Sequence, residues 1–153
     1  KLLAAGATID VDELVNELSL TDVVHNLDNL LAAGVTADKL AKKLHPLYVV
    51  DNLDKLLAAG ATIDVDELVN ELHPLYVVDY LDNLLAAGAT IDTLMNRLYP
   101  EDITRNLDKL LAAGATIDID NLVDRLRDDC LVEHLDQLIA AGATEEALNK
   151  RIV

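Results

Sequence analysis

Aromatic residues are scarce in this chain of 153 residues, which contains no tryptophan and no phenylalanine. The aromatic residues are all tyrosines and make up 3% of the chain, whereas hydrophobic residues together make up 52%. A hydrophobic fraction this high excludes a chain that is disordered by composition. Because large rings are missing, we expect Leu, Ile, Val and Ala to fill the core.

Cysteine is nearly absent, since Cys130 is the only one. No disulfide can form within the chain, which fits a reducing compartment, and we predict a cytoplasmic location. We interpret Cys130 as a small apolar helix residue and not as a reactive thiol. Long hydrophobic runs are also missing, because Asp or Gly interrupts each apolar stretch. We therefore expect no signal peptide, no transmembrane helix and no membrane partner.

Basic residues are few, because 12 Lys and Arg stand against 28 Asp and Glu and leave a net charge of −16. So acidic a surface repels phosphate backbones and anionic membranes, and we do not expect direct nucleic-acid binding. Two interpretations of the charge stay open. It attracts a basic protein or peptide, or it only keeps the chain soluble.

Glycine occurs only six times, at intervals that reveal an internal repeat. The glycines are Gly6, Gly34, Gly60, Gly88, Gly114 and Gly142. Their spacing alternates between 28 and 26 residues, so long and short units alternate and the true period is 54 residues. The segment Leu56–Leu72 also repeats Leu2–Leu18 letter for letter.

The second half of each unit is constant in length and predicts an α-helix, called helix B here. In the second unit it extends from Pro46 to the residue before Gly60. Pro suits the first helical position, and Gly suits the left-handed residue that ends a helix. We assign this structural role to Gly34, Gly60, Gly88 and Gly114. An apolar stripe supports an unbroken helix B, formed in this unit by Val49, Val50, Leu53, Leu56 and Leu57.

The first half of each unit predicts a shorter helix, called helix A here. In long units Asp64 can cap this helix, with Glu67 three residues later as a capping box, and Asp10 and Glu13 repeat the pattern. In short units the expected caps are Thr36, Thr90 and Thr144.

The long units carry two additional residues, which we place in the loop before helix A. Inside the helix they would rotate its cap relative to its leucines by about 200°. Helix A then buries Leu68, Val69 and Leu72 in the third unit, and Leu40, Ala41 and Leu44 in the second.

Helix A, with about nine residues, is only marginally stable alone, so neighbouring units must stack to bury the apolar faces. We predict an all-α fold, a right-handed α-solenoid of stacked helical hairpins with alternating 28- and 26-residue units. One domain would span residues 1–153, with about five hairpins and truncated ends. The alternative is a globular bundle of hairpins. Because no polar capping repeat is visible, we expect end-to-end self-association or further repeats.

The segments LDKLLAAGATID (residues 53–64) and LHPLYVVDNLDKLLAAG (residues 44–60) resemble TAL-effector-like and mitochondrial transcription termination factor repeats. The resemblance covers all units and rests on the spacing of the leucines, on glycine at the end of a helix and on proline at its start. It implies an α-solenoid, and by analogy a nucleic-acid-related function. Those families have longer units and basic surfaces.

Two polar columns recur in the units, and we interpret both as structural. The first contains Asp54, Asp82 and Asp108, with Asp28 and Asp136, and its carboxylates can accept backbone amides from a neighbouring loop. The second contains Thr62 and the threonines two residues after the other glycines, which suit capping or loop hydrogen bonds. A ladder of catalytic or metal-binding acids is the alternative for the first column.

The chain offers few signals for metal binding or catalysis. The segment IDVDEL lacks the length and the central glycine of an EF-hand loop. His45 and His73 precede proline and are expected at helix caps, whereas His25 and His134 lack a partner at a metal-binding spacing. Nucleophile triads, phosphate loops and dinucleotide fingerprints are absent from the sequence. We therefore predict no metal, no cofactor and no enzymatic activity.

Recognition in a solenoid tends to lie where units differ on a shared face, and helix B supplies two such columns. The first is His25, Asp51, Asp79, Arg105 and Glu133. The second is Asp22, Tyr48, Tyr76, Asp102 and Cys130, and Tyr80 lies beside Asp79. We expect both columns to lie away from the apolar stripe. Tyr is an effective contact residue in interfaces. The alternative is that these surface positions vary between units without any role in binding.

The sequence thus predicts a non-enzymatic helical-repeat scaffold that binds a protein or peptide through an extended surface, or a structural repeat array. The alternative is a nucleic-acid-related protein, either a binder or an acidic mimic of nucleic acid. Near-identical units suit an engineered consensus repeat, whereas Met95, Cys130 and the segment 127–129 favour a natural array. Both origins stay open.

Overall fold

The computed structural model describes residues 10–152, and this part of the chain is helical without any strand. Its first eight helices are α1 (Val11–Glu17), α2 (Leu20–His25), α3 (Leu27–Ala32), α4 (Ala37–Lys43), α5 (Pro46–Asp51), α6 (Leu53–Ala58), α7 (Val65–Glu71) and α8 (Pro74–Asp79). The next eight are α9 (Leu81–Ala86), α10 (Ile91–Arg97), α11 (Pro100–Arg105), α12 (Leu107–Ala112), α13 (Ile119–Arg125), α14 (Asp128–Glu133), α15 (Leu135–Ala140) and α16 (Glu145–Ile152). The predicted all-α class is confirmed.

Helix B is not continuous, so the prediction of one unbroken helix was wrong. Asn52 separates α5 from α6 with φ −114° and ψ 19°, outside the α-helical region. Its side-chain amide donates a hydrogen bond to the Tyr48 carbonyl oxygen at 2.9 Å. Asn side chains compete in this way with the helical backbone, and Asn26 and Asn106 make the same bond in their units. Tyr80 and His134 stand at the same position with similar backbone angles, so each complete unit contains three short helices.

Glycine ends the second segment of helix B in each unit, as predicted. Gly60 has φ 95°, and its N–H donates to the Leu57 carbonyl oxygen at 3.0 Å. The N–H of Ala61 donates to the Leu56 carbonyl oxygen at 3.0 Å. These two bonds form a Schellman motif, which satisfies the last carbonyls of the helix. Gly6 lies outside the described residues.

The two additional residues of the long units lie in the loop before helix A, as predicted. Residues 61–64 connect Gly60 to α7, whereas only residues 35–36 connect Gly34 to α4. Both helices that follow have seven residues. The Asp64 carboxylate caps α7 by accepting the Glu67 N–H at 3.0 Å.

Threonine caps two of the three helices for which it was predicted. Thr90 accepts the N–H of Thr93 at 3.4 Å, and Thr144 accepts the N–H of Ala147 at 3.2 Å. Thr36 precedes α4 without a side-chain cap bond. The predicted caps His45 and His73 are confirmed, because Nδ1 of each ring accepts an amide two residues later at 3.3 Å.

One hydrophobic cluster follows the chain from Val15 to Leu148. Each complete unit contributes buried apolar residues from helix A and from both segments of helix B, such as Leu40, Val49 and Leu56 in the second unit. The predicted helix A core is confirmed except at Ala41, which is only half-buried. No helix within residues 10–152 combines the length and apolarity that crossing a membrane would require.

Contacts between units follow the order of the repeats. The side-chain hydrogen bonds between units join residues 23 to 29 positions apart. This separation corresponds to one unit, so each unit is tied to the next one along the chain. Nearest-neighbour contacts of this kind are what a stack of repeats requires.

Candidate functional site

A ladder of aspartates ties helix A to the loop of the next unit at four of the five junctions within residues 10–152. The Asp66 carboxylate accepts the backbone N–H of Thr90 at 2.7 Å. Equivalent bonds join Asp12 to Thr36 at 3.0 Å, Asp38 to Thr62 at 2.5 Å and Asp120 to Thr144 at 2.8 Å. Each bond satisfies a loop amide and fixes the position of two units relative to each other.

This ladder is not the aspartate column that we expected to accept amides. In the expected column, Asp28 pairs with Lys55 of the next unit at 2.8 Å, and Asp82 pairs with Lys109 at 2.9 Å. Both aspartates are highly exposed. Exposed ion pairs of this kind stabilise a fold only weakly. Asp54 and Asp108 are exposed on the same segment of helix B.

Cations at the end of helix A also connect units, but only from a short unit back to the long unit before it. Arg97 Nη2 donates to the Leu72 carbonyl oxygen at 2.5 Å, and Lys43 Nζ donates to the Asn16 carbonyl oxygen at 3.2 Å. Arg151 donates to the carbonyl oxygens of Val123, Asp124 and Leu126. The carbonyl end of a helix carries partial negative charge and favours such cations.

The junctions between units are therefore of two kinds. At a long-to-short junction the A helices pack closely on each other, as α7 does on α10 and α13 does on α16. At a short-to-long junction the longer loop intervenes, and α7 packs on α5 while α13 packs on α11. The alternation of unit length thus separates two consecutive A helices at every second junction.

A groove with a volume of about 540 Å³ lies at the short-to-long junction between α4 and α7. Its apolar side chains are buried or half-buried and form the floor: Ala41, Leu44, Pro46, Val49, Ile63 and Leu68. Pockets of this size with apolar linings commonly bind ligands or side chains of a partner. Here the floor is made by both A helices, by the loop and by the first turn of α5.

The rim of the groove is acidic. It carries the carboxylates of Asp38, Asp64, Glu67 and Glu71, against the single cation Lys42. Asp38 and Asp64 are engaged with backbone amides, whereas Glu67 and Glu71 are exposed. The two glutamates stand four residues apart on α7, where like charges repel each other. The groove can therefore take an apolar group that is accompanied by positive charge.

The structure places most of the predicted recognition residues on the surface. Exposed positions are occupied by His25, Tyr48, Asp51, Tyr76, Asp79, Arg105 and Glu133. Tyr48 and Tyr76 expose about two fifths of their side chains, 40% and 39%. The Tyr76 ring contacts the His73 ring edge-on, with 6.5 Å between the ring centroids.

Tyr80 and Asp51 are brought together across two units. The Tyr80 hydroxyl donates to Asp51 Oδ1 at 2.9 Å. This hydrogen bond raises the pKa of Tyr80, and burial and the charge of Asp51 act in the same direction. Tyr80 occupies the position between the two segments of helix B where Asn52 stands in the second unit. Its side chain is half-buried, and its hydroxyl links two units through Asp51.

The second predicted column is not exposed along its whole length. Cys130 is buried, with 2% of its surface accessible, and the Asp102 side chain is mostly covered. Burial raises the pKa of the Cys130 thiol, which makes a reactive thiolate less available. The sequence interpretation of Cys130 as an apolar helix residue therefore holds, but its placement on an outward face was wrong, because α14 turns it into the core.

Within residues 10–152 no group of three or more His, Cys, Asp or Glu side chains is arranged to hold a metal ion. The groove between α4 and α7 was not singled out from the sequence. The available signal was the alternation of unit length together with Ala41, a small residue at a position where the fourth unit has Met95. Comparison of the chain with protein-family models, curated proteins and solved structures found no match.

Proposed function

We propose that this protein is a non-enzymatic helical-repeat scaffold that binds a basic protein or peptide segment. The observation that carries the proposal is the groove between α4 and α7, whose apolar floor is surrounded by four carboxylates and one lysine. A net charge of −16 favours the approach of a cationic partner over a long range. The exposed tyrosines of helix B, Tyr48 and Tyr76, add contact area outside the groove.

The proposal includes the arrangement of the units as a right-handed α-solenoid that presents these surfaces along its length. Hydrogen bonds between residues one unit apart support the stacking. The resemblance of the units to TAL-effector-like and mitochondrial transcription termination factor repeats belongs to the same proposal. A crystal structure of the chain tests both the stacking and the hand of the superhelix.

Peptide binding can be tested by fluorescence anisotropy with two labelled synthetic peptides of equal length. One peptide carries lysine, arginine and leucine, and the other has glutamate in place of each basic residue. We expect the basic peptide to bind and the acidic peptide not to bind. The affinity should fall as salt is raised, because ions screen the attraction between exposed charges. Equal binding of both peptides, or of neither, would contradict the proposal.

A nucleic-acid-related role is the alternative, and it is supported by the strongly acidic surface. A labelled DNA duplex added to the same titration separates the two functions. Direct binding of the duplex would favour a nucleic-acid binder and would refute the charge argument. An acidic mimic would instead displace DNA from a basic DNA-binding protein without binding DNA itself. The scaffold proposal predicts neither behaviour.

A further inference from the structure

The chain contains a second short-to-long junction, between α10 and α13, which allows a comparison with the groove between α4 and α7. The fourth unit has Met95 where the second has Ala41. Met95 is half-buried and packs against the core cluster. A longer side chain at this position occupies space that Ala41 leaves open. The small side chain of Ala41 is therefore a specific feature of the first junction.

The charges of the two junctions also differ. Glu67 and Glu71 on α7 correspond to Asn121 and Arg125 on α13. The exposed carboxylate pair is thus replaced by an amide and a cation. The residues that make the loop and the cap, in contrast, are identical at the two junctions, since the segment ATID precedes both helices. Lys42 and Val49 of the lining are also replaced, by Asn96 and Ile103, so the lining differs at five positions while the loop and the cap do not.

From this comparison we infer that the groove between α4 and α7 is a specific site for one large apolar side chain of a basic peptide segment. The inference rests on the proposed function and names its site and ligand chemistry. Ala41 selects the apolar side chain by leaving room over Leu44 and Leu68. Glu67 and Glu71 pair with the cations on either side of it.

The size of the groove suits such an occupant. Its volume of about 540 Å³ is larger than one leucine or methionine side chain requires, and it leaves space for the flanking backbone. Leu44, Val49 and Leu68 at its base are only 6%, 5% and 4% exposed and belong to the core cluster. The site is therefore formed before a ligand arrives, and binding does not have to order the floor.

Charge selects the rest of the ligand. Glu67 and Glu71 lie at positions i and i+4 of α7, and their mutual repulsion costs stability in the free protein. A ligand cation between them removes that repulsion and adds attraction of its own. An uncharged or acidic segment lacks this contribution, so the rim favours basic segments even where the apolar side chain is the same.

The test uses three synthetic peptides of equal length with the full chain. The first has one central leucine between lysines and arginines, the second has serine in place of that leucine, and the third has glutamates in place of the cations. Isothermal titration calorimetry gives affinity and stoichiometry. We expect one molecule of the first peptide per chain, with binding weaker by about tenfold or more when the leucine is serine.

Substitutions copied from the second junction test the site without introducing residues foreign to the repeat. Ala41→Met is expected to weaken binding of the leucine peptide by about tenfold or more, while the circular dichroism spectrum of the chain stays unchanged. The double change Glu67→Asn and Glu71→Arg should weaken binding and remove most of its salt dependence. Met95→Leu, a change of similar volume at the second junction, is the control that should leave binding unchanged.

The reciprocal change should create a second site. A chain with Met95→Ala, Asn121→Glu and Arg125→Glu is expected to bind two leucine peptides instead of one. A stoichiometry that stays at one would overturn the assignment of specificity to these positions. Unchanged affinity of the Ala41→Met variant, with wild-type binding intact, would overturn the inference and leave the proposed function standing. Failure of the wild-type chain to bind the leucine peptide would overturn both.

Discussion

The Asp120 carboxylate holds the loop at Thr144, accepting its backbone N–H at 2.8 Å and its hydroxyl at 2.9 Å. Asp92 occupies the same position on α10, yet it makes no such bond to Thr116, although both residues lie in the described part of the chain. The two aspartates share a place in the first turn of helix A. Comparing substitutions of these two aspartates therefore separates the contribution of the bond between units from that of the helix dipole.

Asp120→Ala is expected to destabilise the chain by about 1 kcal/mol more than Asp92→Ala. Both substitutions remove a favourable charge from a helix start, but only the first also leaves the Thr144 amide without its acceptor. Urea unfolding followed by circular dichroism measures the two free energies. Equal losses of stability in the two variants would show that the bond between units contributes nothing measurable.

Arg97→Met should lower the free energy of unfolding by about 1–2 kcal/mol. The half-buried guanidinium donates to the Leu72 carbonyl oxygen at the end of α7, and charged donors make strong hydrogen bonds there. Arg125 stands at the same position of α13 but is exposed. Arg125→Met is therefore the matched control, with an expected change within about 0.5 kcal/mol. The prediction fails if both variants unfold at the same urea concentration.

Gly60→Ala is expected to cost about 1–2 kcal/mol, although the space around the glycine is open. A side chain at φ 95° is strained by its own backbone and not by a neighbour. Gly60→Asn should cost less, because Asn tolerates positive φ better than Ala does. Thermal unfolding of the two variants checks this order. A larger loss for Asn would mean that contacts, and not the backbone angle, require glycine.

The raised pKa of Tyr80 predicts that the folded chain loses stability in alkaline solution. Its pKa is raised in the folded state, mainly by the hydrogen bond to Asp51. The unfolded chain therefore releases the Tyr80 proton at lower pH than the folded chain. The stabilisation is complete below the unfolded pKa, near 10, and is lost as pH rises through the folded pKa.

Tyr80→Phe should remove this part of the alkaline loss and lower stability at neutral pH by about 0.5–1.5 kcal/mol. Urea unfolding at neutral pH and above pH ~10 provides the comparison. Tyr48→Phe, at an exposed position without a hydroxyl bond among the described residues, is the control. If Tyr80→Phe and the wild-type chain lose the same stability with pH, the hydroxyl bond does not link the two units in solution.

Local signals predicted the ends of most helices. Pro46 begins α5, Gly60 follows the end of α6, and Asp64 caps α7 as expected. These residues act on amides and carbonyls within a few positions of themselves, so their spacing in the chain is sufficient evidence. The break at Asn52 was missed because the apolar stripe continues across it. Tyr80 and His134 show the same break without an asparagine amide, so no single residue type at this position signals it.

The contacts between units could not be predicted in the same way. Both aspartate columns have the same spacing in the sequence, and only the tertiary structure shows that Asp66 reaches an amide while Asp28 reaches Lys55. Cys130 is buried although Tyr48 and Tyr76, at the equivalent position of their units, are exposed, so the spacing of this column did not predict its burial.

The sequence by itself determined that the chain is helical, where its glycines stop the helices, and that the two additional residues lie in a loop. Each of these depends on dihedral preferences and on hydrogen bonds within one turn. The tertiary structure alone decided that these two residues separate α4 from α7 and leave an apolar groove with Glu67 and Glu71 at its rim. The width of that groove depends on how two units about 24 to 29 residues apart pack against each other, which residue spacing does not specify.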